Sequence, residues 1–391
     1  MNYNDFLFNI DNPQEKDVIS LPYIWLRGWV ALESSFTEID FFLQTDDSDF
    51  HIDLYYEKRK DVENVHTGKF PMGFNHYLSP LDINPSITYY IVFKTNNDQS
   101  GKIPVHFNLD ESNQIEFIKI KRNKINLLKT IIACPACKES SLEYKDKQLV
   151  CQNCRETFAQ NQNNFDFINA KGLKDKSLSA TQVSSNPYDS QAIKLIDEYH
   201  DHLILDNGCG LRNIYYNNVI NFEITDFPTT DVIGHGENLP FRSDCFDVIF
   251  SFAVLEHVKD PFSCAKEIER VLKPGGIFYI AVPFLQPFHG YPDHYYNMTI
   301  NGLKNLFSEQ ILIDESGVLK SGLPIWALSW FLNSYANGLP KKVRKRFLNY
   351  KVRDLLKDPQ IYYEEEFVEQ LHPETIQELA CVNYIIGKKK R

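Results

Sequence analysis

Apolar and polar residues alternate in short runs along the first third of the chain. Turn-rich segments such as 45–48 and 95–98 separate these runs, which occupy residues 23–32, 38–43, 51–56, 89–93 and 103–109. A period of two residues is typical of strands that bury one face, and strands at this spacing favour an antiparallel β-sandwich. Because no long stretch repeats apolar side chains every 3.6 residues, the pattern predicts a β-sandwich-like accessory domain over 1–122 without a long helix.

A different pattern begins near residue 189, where helix-like and strand-like segments alternate. Apolar side chains lie on one helical face in residues 191–199 and again in 261–272, where the face includes Phe262 and Ile268. Short apolar runs typical of buried strands occupy residues 202–205, 246–250 and 277–282. The alternation predicts a doubly wound, Rossmann-like α/β domain over 189–391. We expect 380–387 to be its last strand, and the Asn-, Lys- and Ser-rich residues 169–188 to be a linker.

A helical segment of about 320–372 is predicted as an insertion in this α/β domain. Residues 323–339 are apolar and aromatic, and the basic run that follows contains Lys341, Lys342, Arg344, Lys345 and Arg346. An apolar segment beside basic residues is suited to lie on an anionic membrane surface, so 323–346 is a candidate for peripheral membrane contact. The simpler alternative is a helix that covers the active site and exposes a solvated basic face.

Composition narrows the class of function. The chain has 391 residues, 43% of them hydrophobic, which suffices for two or three domains with cores. Its formal net charge of −11 argues against sequence-independent binding of nucleic acid and favours a small-molecule or neutral glycan substrate. Residues 1–17 lack the pattern of an export signal, and no apolar stretch reaches the length of a membrane span, so we expect a cytoplasmic protein.

Four of the eight cysteines form two pairs, Cys134-Pro-Ala-Cys137 and Cys151-Gln-Asn-Cys154. Each Cys-x-x-Cys turn presents two thiolates, and four thiolates in tetrahedral geometry suit a structural zinc ion. The segment between the pairs is long enough for a hairpin. The spacing therefore predicts a zinc ribbon over 130–168, whose small core the metal would stabilise. The alternatives are a redox dithiol and two chance pairs.

A glycine turn follows the first predicted strand of the α/β domain, in the sequence Asp206-Asn-Gly208-Cys-Gly210. Glycines let the backbone approach a ligand closely, and Asp206 stands at the carboxyl end of the strand, where such sheets bind ligands. Glu223 ends the next apolar run, and its carboxylate is able to accept hydrogen bonds from ribose hydroxyls. A dinucleotide site would need a third glycine where this chain has Asn213.

Further segments follow in a fixed order: Leu-Pro-Phe at 239–241, Leu-Glu-His at 255–257 and Lys-Pro-Gly-Gly at 273–276. With the glycine turn they resemble class I S-adenosylmethionine-dependent methyltransferases of the small-molecule type 11 group over about 203–283. The resemblance implies a cofactor-binding set of Asp206, Gly208 and Gly210 for the methionine part, Glu223 for the ribose, His235, Gly236 and Leu239 for the adenine, and Ser251 and His257 nearby.

The chain departs from the family pattern at two positions, one just after the glycine turn and one in the cofactor-binding set. Arg212 stands where the family has a further glycine, and His235 stands where the family has an aspartate. The first change introduces a long cation beside the glycine turn. The second removes the carboxylate expected to contact the adenine amino group. Either change is compatible with altered cofactor geometry or with a protein that keeps the fold without catalysis.

Candidate catalytic groups lie in residues 283–296, after the strand predicted at 277–282. If the acceptor is a hydroxyl, a general base helps to remove its proton, and histidine suits that role near neutral pH. We expect His289 or His294 to be the base and Asp293 to orient one of them, with His257 as an alternative. The structural alternative is a lid whose aromatic side chains pack and whose histidines cap turns.

Weaker resemblances concern the acceptor. The His- and Pro-rich segment followed by Thr299-Ile-Asn-Gly302-Leu303 resembles methyltransferases of bacterial surface-polysaccharide clusters. The N-terminal domain resembles sandwich modules beside sugar methyltransferases, which would recognise a glycan or hold subunits together. The leading hypothesis is O-methylation of a sugar or another precursor of a cell-surface glycan. Two hypotheses compete: a zinc-ribbon RNA base methyltransferase, since the combination also resembles ribosomal-RNA guanine methyltransferases, and a non-catalytic binding module.

Overall fold

The computed structural model describes residues 6–33, 36, 38–46, 50–66, 69–145, 148–160, 163–168, 187–289, 293–357 and 359–379. The chain divides into two compact units. Unit 1 consists of Met1–Phe252 and Ser263–Ile280, and unit 2 of Ala253–Phe262 and Ala281–Arg391. The strand predicted at 380–387 and most of the linker predicted at 169–188 lie outside the described residues.

Two four-stranded antiparallel sheets form the N-terminal part of unit 1. Their strands are β1 (Phe6–Asn12), β2 (Ile24–Leu32), β3 (Ile39–Gln44), β4 (His51–Leu54), β5 (Tyr56–Lys58), β6 (Phe70–Leu78), β7 (Tyr89–Thr95) and β8 (Ser100–Val105), with helix α1 (Lys60–Val65) after β5. The orders are β1-β2-β6-β5 and β4-β3-β7-β8. Alternate residues of both sheets, such as Leu26 and Phe93, share one buried cluster. The predicted antiparallel β-structure is confirmed in these sheets.

A long helix, α2 (Glu111–Ile131), follows the two sheets and begins inside the region expected to lack one. The Asp110 side chain caps it by accepting hydrogen bonds from the backbone N–H groups of Ser112 and Asn113. The buried side chains are Phe117, Lys121, Lys124 and Leu128, which repeat at the helical spacing of four, three and four residues. The periodicity escaped the sequence analysis because two of these four positions are lysines, which are rarely buried unless they are paired.

The two buried lysines of α2 share one carboxylate, that of Asp231. Lys121 Nζ lies 3.1 Å from Oδ1 and Lys124 Nζ lies 3.0 Å from Oδ2 of Asp231. The Tyr215 hydroxyl also donates to Oδ1, and the backbone N–H of Asn221 donates to Oδ2 at 2.9 Å. All three charged side chains are at most 3% exposed. Burial disfavours the Asp231 carboxylate, but the two lysines outweigh it and hold its pKa below the usual range.

The free energy of unfolding should increase as pH rises from about 8 to about 10.4, because burial lowers the pKa of Lys124 to about 8. The unfolded chain has the ordinary lysine pKa of about 10.4, so between these values it binds more protons than the folded chain. The free energy of unfolding therefore rises across this window, by at most about 3 kcal/mol. Thermal unfolding of the Lys124→Met protein should lack this rise. The exposed Lys119→Met control should keep it, and equal pH profiles for all three proteins would contradict the prediction.

A nine-stranded mixed sheet forms the rest of unit 1, in the order β17-β16-β13-β14-β15-β12-β11-β10-β9. The strands are β9 (Leu142–Lys145), β10 (Gln148–Cys151), β11 (Thr157–Gln160), β12 (Phe165–Asp166), β13 (Ile204–Asn207), β14 (Val219–Glu223), β15 (Val232–Ile233), β16 (Phe246–Phe252) and β17 (Leu272–Ala281). Strands β13 to β16 are parallel, and β12 joins them by pairing in parallel with β15. The antiparallel strands β9 to β12, which include the cysteine hairpin, therefore extend the α/β sheet.

Helices α3 (Ser190–Glu198) and α4 (Pro261–Val271) accompany this sheet. Helix α4 buries Cys264, Ala265, Ile268 and Val271, but Phe262, expected on the same face, is 49% exposed. Strand β17 begins at Leu272, directly after α4, and so includes the Lys-Pro-Gly-Gly segment that was expected to precede it. Gly275 permits this because it adopts a left-handed φ of 78°.

Strand β13 is the point at which the order of the parallel strands reverses. It pairs with β14 on one side and with β16 on the other. In such sheets the crevice at the carboxyl ends of the strands opens at this switch point. The residues that follow β13, β14 and β16 are therefore placed to meet a ligand.

Unit 2 contains helices α5 (Ile300–Lys304), α6 (Pro324–Asn337), α7 (Lys341–Phe347), α8 (Glu366–Glu369) and α9 (Pro373–Glu378). Its small core consists of Ala336, Leu339, Val343, Phe347, Phe367 and Leu371. The first ten residues of α6 contribute little to this core, and their apolar side chains are exposed. Within the described part of the chain, every helix is too short or too polar to cross a membrane.

Candidate functional site

The glycine turn after β13 and the acidic residue at the end of β14 are held together. Gly208 and Gly210 adopt left-handed φ values of 79° and 60°, which other residues reach only with strain. One carboxylate oxygen of Glu223 accepts the backbone N–H of Gly210 at 2.8 Å, and the other accepts the N–H of Ile224 at 2.8 Å. The glycines and Glu223, predicted separately, therefore form one structure at the switch point.

Three buried polar atoms at this edge of the sheet have no hydrogen-bond partner among the described residues. They are Asp206 Oδ1 and Asn207 Nδ2 at the end of β13, and Ser251 Oγ near the end of β16. Asp206 and Asn207 follow one strand, and Ser251 follows Phe250, the register partner of Asp206 on the neighbouring strand. Buried polar atoms are rarely left unsatisfied, so the three atoms mark a place where a polar ligand fits. The sequence analysis did not assign Asn207, although it lies inside the glycine motif.

Arg212 occupies this site and pairs with Asp206. Its Nε and Nη2 lie 2.8 and 2.7 Å from Asp206 Oδ2, and its guanidinium lies 4.0 Å from the ring centre of Tyr188. The Tyr188 hydroxyl donates to the same oxygen. Burial, and next the charge of Asp206, raise the pKa of Tyr188, which keeps the hydroxyl protonated as a donor. These contacts all use Oδ2, which leaves Asp206 Oδ1 without a hydrogen-bond partner among the described residues. Nothing in the sequence pointed to Tyr188.

The loop after β15 approaches the same edge. It contains His235, the short 3-10 turn Gly236–Asn238 and the buried Leu239. A Cβ atom placed on Gly236 would lie 3.2 Å from Cys264 Sγ and 3.7 Å from Asn207 Oδ1, so a larger residue would crowd the Cys264 side chain. Gly236 is therefore beside the end of β13, whereas the His235 side chain is exposed.

Unit 2 brings together the three histidines of the sequence analysis. The ring centres of His257 and His289 are 5.2 Å apart, and those of His289 and His294 are 4.3 Å apart. Asp293 contacts His257, the alternative base, through its main-chain oxygen, which lies 2.7 Å from Nδ1. Its carboxylate accepts instead from the Tyr295 hydroxyl at 2.9 Å.

Glu256 lies beside the histidines and was not assigned a role from the sequence. It is 0% exposed, and neither carboxylate oxygen has a hydrogen-bond partner among the described residues. Burial raises the pKa of Glu256 to about 8 and lowers the pKa of His257. His257 Nε2 lies 3.7 Å from Oε1 of Glu256. The sequence signal was present in the adjacent Glu256-His257 pair, which resembled a family-typical run.

The four paired cysteines converge in two turns of the same geometry. In each turn the residue after the second cysteine, Lys138 or Arg155, has a φ of 64° and donates its N–H to the first cysteine's carbonyl at 2.8 or 3.0 Å. The Sγ atoms of Cys134 and Cys154 are 3.5 Å apart, as are those of Cys137 and Cys151. All four sulfurs lie within 4.8 Å of one another. A tetrahedral ion about 2.3 Å from each sulfur requires separations of about 3.8 Å, so this set fits one metal ion.

Comparisons with known proteins apply to parts of the chain. Residues 217–280 match the family described as "Methyltransferase domain". The match supports the predicted methyltransferase domain over this segment, which includes Glu223, Gly236, Leu239, Ser251 and His257. A second match, at residues 99–168, is to the family described as "Membrane iron-sulfur containing protein FtrD-like" and includes the four cysteines.

Curated relatives match over short regions. The "Arginine-hydroxylase NDUFAF5, mitochondrial" of Danio rerio is 27% identical over 143 residues, which cover 30% of this chain and 44% of that protein. The protein of the same name in Mus musculus is 39% identical over 54 residues, covering 14% of this chain and 16% of that protein. The chain thus spans less than half the length of either relative.

Among solved structures, Haemonchus contortus phosphoethanolamine N-methyltransferase 2 in complex with S-adenosyl-L-methionine matches with 17% identity. The match covers 48% of each chain with a TM-score of 0.28.

Proposed function

We propose that the protein binds S-adenosylmethionine at the switch point of the nine-stranded sheet and transfers its methyl group. The observation that carries this proposal is the glycine turn that Glu223 holds by accepting the N–H of Gly210. It lies at the same edge of the sheet as three buried polar atoms without a hydrogen-bond partner, Asp206 Oδ1, Asn207 Nδ2 and Ser251 Oγ. Glu223 would hold the ribose, Asp206 and the turn at Gly208 and Gly210 the methionine part, and Gly236 with Leu239 the adenine. When bound, the cofactor supplies a methyl group activated on a sulfonium.

Arg212 fits this function as a partner of Asp206. One oxygen of Asp206 accepts from Arg212 and Tyr188, and the other, Oδ1, stays available for the amino group of the methionine part. The buried guanidinium provides Asp206 with a counter-charge and fixes its orientation, since an unpaired buried carboxylate is costly. The departure from the family pattern therefore changes how Asp206 is held without removing its free oxygen.

We propose a hydroxyl of a sugar or another cell-surface glycan precursor as the acceptor. The formal net charge of −11 disfavours a nucleic acid acceptor. The general base for this hydroxyl would be His257 or His289. Among the described residues, Nε2 of these two histidines accepts or donates no hydrogen bond, whereas both ring nitrogens of His294 are engaged.

Calorimetry with S-adenosylmethionine, followed by transfer of its labelled methyl group to nucleotide-activated sugars, tests this function. We expect binding at one site per chain and label on a sugar oxygen. A chain that binds no S-adenosylmethionine would be a non-catalytic module. Tight, salt-sensitive binding of RNA with label on a base would favour the RNA base methyltransferase instead.

We also propose that α6 and α7 attach the protein to an anionic membrane surface. The exposed apolar side chains of α6 and its preceding residue are Leu323, Ile325, Trp326, Leu328, Trp330, Phe331 and Leu332. A helix that is apolar all round is normally buried, and this one is exposed. Helix α7 adds five basic residues next to it, which complement anionic headgroups.

Ile325→Asp should release the protein from vesicles that contain phosphatidylglycerol. The substitution places a charge on the most exposed part of α6, and we expect partitioning to fall by at least about tenfold, as for the loss of one buried large apolar side chain. Cosedimentation measures this. Ile376→Asp on α9 is the control, because Ile376 is also exposed but belongs to neither α6 nor α7. Equal binding to neutral and anionic vesicles would contradict the charge contribution.

We propose that the four cysteines hold one structural zinc ion. A polynuclear iron–sulfur cluster places several atoms between its thiolates, whereas here the sulfur pairs are only 3.5 Å apart. Elemental analysis of the purified protein should give one zinc per four-cysteine site and a colourless solution. Cys151→Ser should lower the zinc content, and Cys245→Ser, outside the site, should not. Stoichiometric iron with visible absorption would instead favour an iron centre.

A further inference from the structure

We infer that Glu256, His257 and His289 form a second metal site, which binds a divalent transition-metal cation through one carboxylate and two imidazoles. Each residue offers a ligand atom within 4.8 Å of the other two. The site is separate from the four cysteines, and all three residues belong to unit 2. Its existence does not depend on the proposed function, although its role in methyl transfer does.

The carboxylate is the first argument for a cation. Glu256 is fully buried, and both of its oxygens lack a hydrogen-bond partner among the described residues. A buried carboxylate is costly unless it is paired or coordinates a metal. The main-chain oxygen of Glu256 accepts the N–H groups of Tyr295 at 2.7 Å and Tyr296 at 3.2 Å, which fixes the loop against this residue. The main-chain oxygen is therefore satisfied, whereas both side-chain oxygens lack a hydrogen-bond partner among the described residues.

The two imidazoles are oriented as metal ligands usually are. Nδ1 of His257 lies 2.7 Å from the carbonyl oxygen of Asp293, and Nδ1 of His289 lies 2.9 Å from that of Pro287. A carbonyl only accepts, so each Nδ1 carries the proton and each Nε2 keeps a lone pair. This second contact, which fixes the tautomer and the ring, is a regular feature of metal-binding histidines.

His294 has a different role from the other two histidines. Its Nδ1 accepts the backbone N–H of His289 at 3.1 Å, and its Nε2 lies 3.1 Å from the side-chain oxygen of Asn297. Both nitrogens are thus used, and the ring holds the loop that presents His289. His294 is a positioning residue for the metal site.

The spacing suits a first-row ion. His257 Nε2 and Glu256 Oε1 are 3.7 Å apart. An ion about 2.1 Å from each ligand holds neighbouring ligand atoms about 3.0 to 3.4 Å apart, so this pair of atoms needs to approach by about 0.5 Å. The ligand atom of His289 lies within 4.8 Å of both and moves in with them. Two imidazoles and one carboxylate leave further coordination positions open. With the proposed function, an acceptor hydroxyl would bind there and lose its proton more readily.

Titration with Mn²⁺, followed by electron paramagnetic resonance, separates this site from the cysteines, because hard Mn²⁺ avoids thiolate sites. The full chain should bind one Mn²⁺, and Glu256→Gln and His289→Ala should each weaken binding by at least about tenfold. Glu374→Gln is the matched control, since Glu374 lies 3.8 Å from His372 in the same unit but is 90% exposed. Its affinity should equal that of the wild type.

The inference is wrong if the wild-type chain leaves all Mn²⁺ free, or if both variants bind it like the wild type. Calorimetry with S-adenosylmethionine on the same proteins distinguishes the two proposals. Glu256→Gln should keep wild-type affinity for S-adenosylmethionine, which also shows that it folds. If the wild-type chain binds Mn²⁺ but not S-adenosylmethionine, the metal site is supported and the proposed function is wrong. If it binds S-adenosylmethionine but not Mn²⁺, the proposed function is supported and the metal site is wrong.

Discussion

Asp231→Asn should lower the stability of unit 1 by about 3–5 kcal/mol, because it leaves two buried lysines without a counter-charge. Asp231 is the shared partner of Lys121 and Lys124, and it also accepts from Tyr215 and from the backbone of Asn221. An asparagine keeps the size of the side chain but removes its charge and one acceptor. Thermal unfolding should show a midpoint about 10 °C lower.

Lys124→Met is the informative control for this prediction. The wild-type site holds two cations and one anion, so removing Lys124 leaves one lysine for one carboxylate, and methionine fills similar volume. We expect a cost below about 1 kcal/mol. If Lys124→Met were as destabilising as Asp231→Asn, then packing and hydrogen bonding at α2, and not charge balance, would govern the stability of this region.

The same network explains what the hydrophobic pattern failed to predict about the fold. The alternation of β2 and β3 and the buried runs at β13 and β16 were visible because apolar residues occupy their inward positions. Helix α2 was missed because Lys121 and Lys124 occupy inward positions, and their partner, Asp231, lies more than 100 residues later in the sequence. The start of β17 was missed because Gly275 and Pro274 are usually read as a stop.

The residues of the candidate sites also divide into those that the sequence predicted and those that only the structure revealed. The glycine turn, Glu223 and the paired cysteines are local patterns whose chemistry follows from residue type and strand ends. The pairing of Arg212 with Asp206 and Tyr188, and the unpartnered state of Glu256, depend on how side chains pack in the folded chain and not on a residue spacing. No spacing rule places Tyr188 over Arg212, and none distinguishes His294, which holds a loop, from His289, which presents a free nitrogen.

Glu223→Gln should weaken binding of S-adenosylmethionine by at least about a hundredfold. The Glu223 carboxylate accepts the N–H of Gly210 with one oxygen and the N–H of Ile224 with the other, and the remaining lone pairs face the ribose in the proposed function. Glutamine places an NH₂ group against one of these N–H donors, which disrupts the turn, and it loses a charge-assisted bond to a ribose hydroxyl. Together these losses amount to about 3 kcal/mol.

Calorimetry with S-adenosylmethionine measures the effect, and the control is Glu198→Gln on α3, where an exposed carboxylate lies 3.6 Å from Lys194. That variant should bind like the wild type, since a surface ion pair contributes little. A Glu223→Gln protein that kept wild-type affinity would show that the ribose is held elsewhere. The cofactor would then have to bind away from the switch point, because the turn at Gly208 and Gly210 and the Glu223 carboxylate form a single hydrogen-bonded unit.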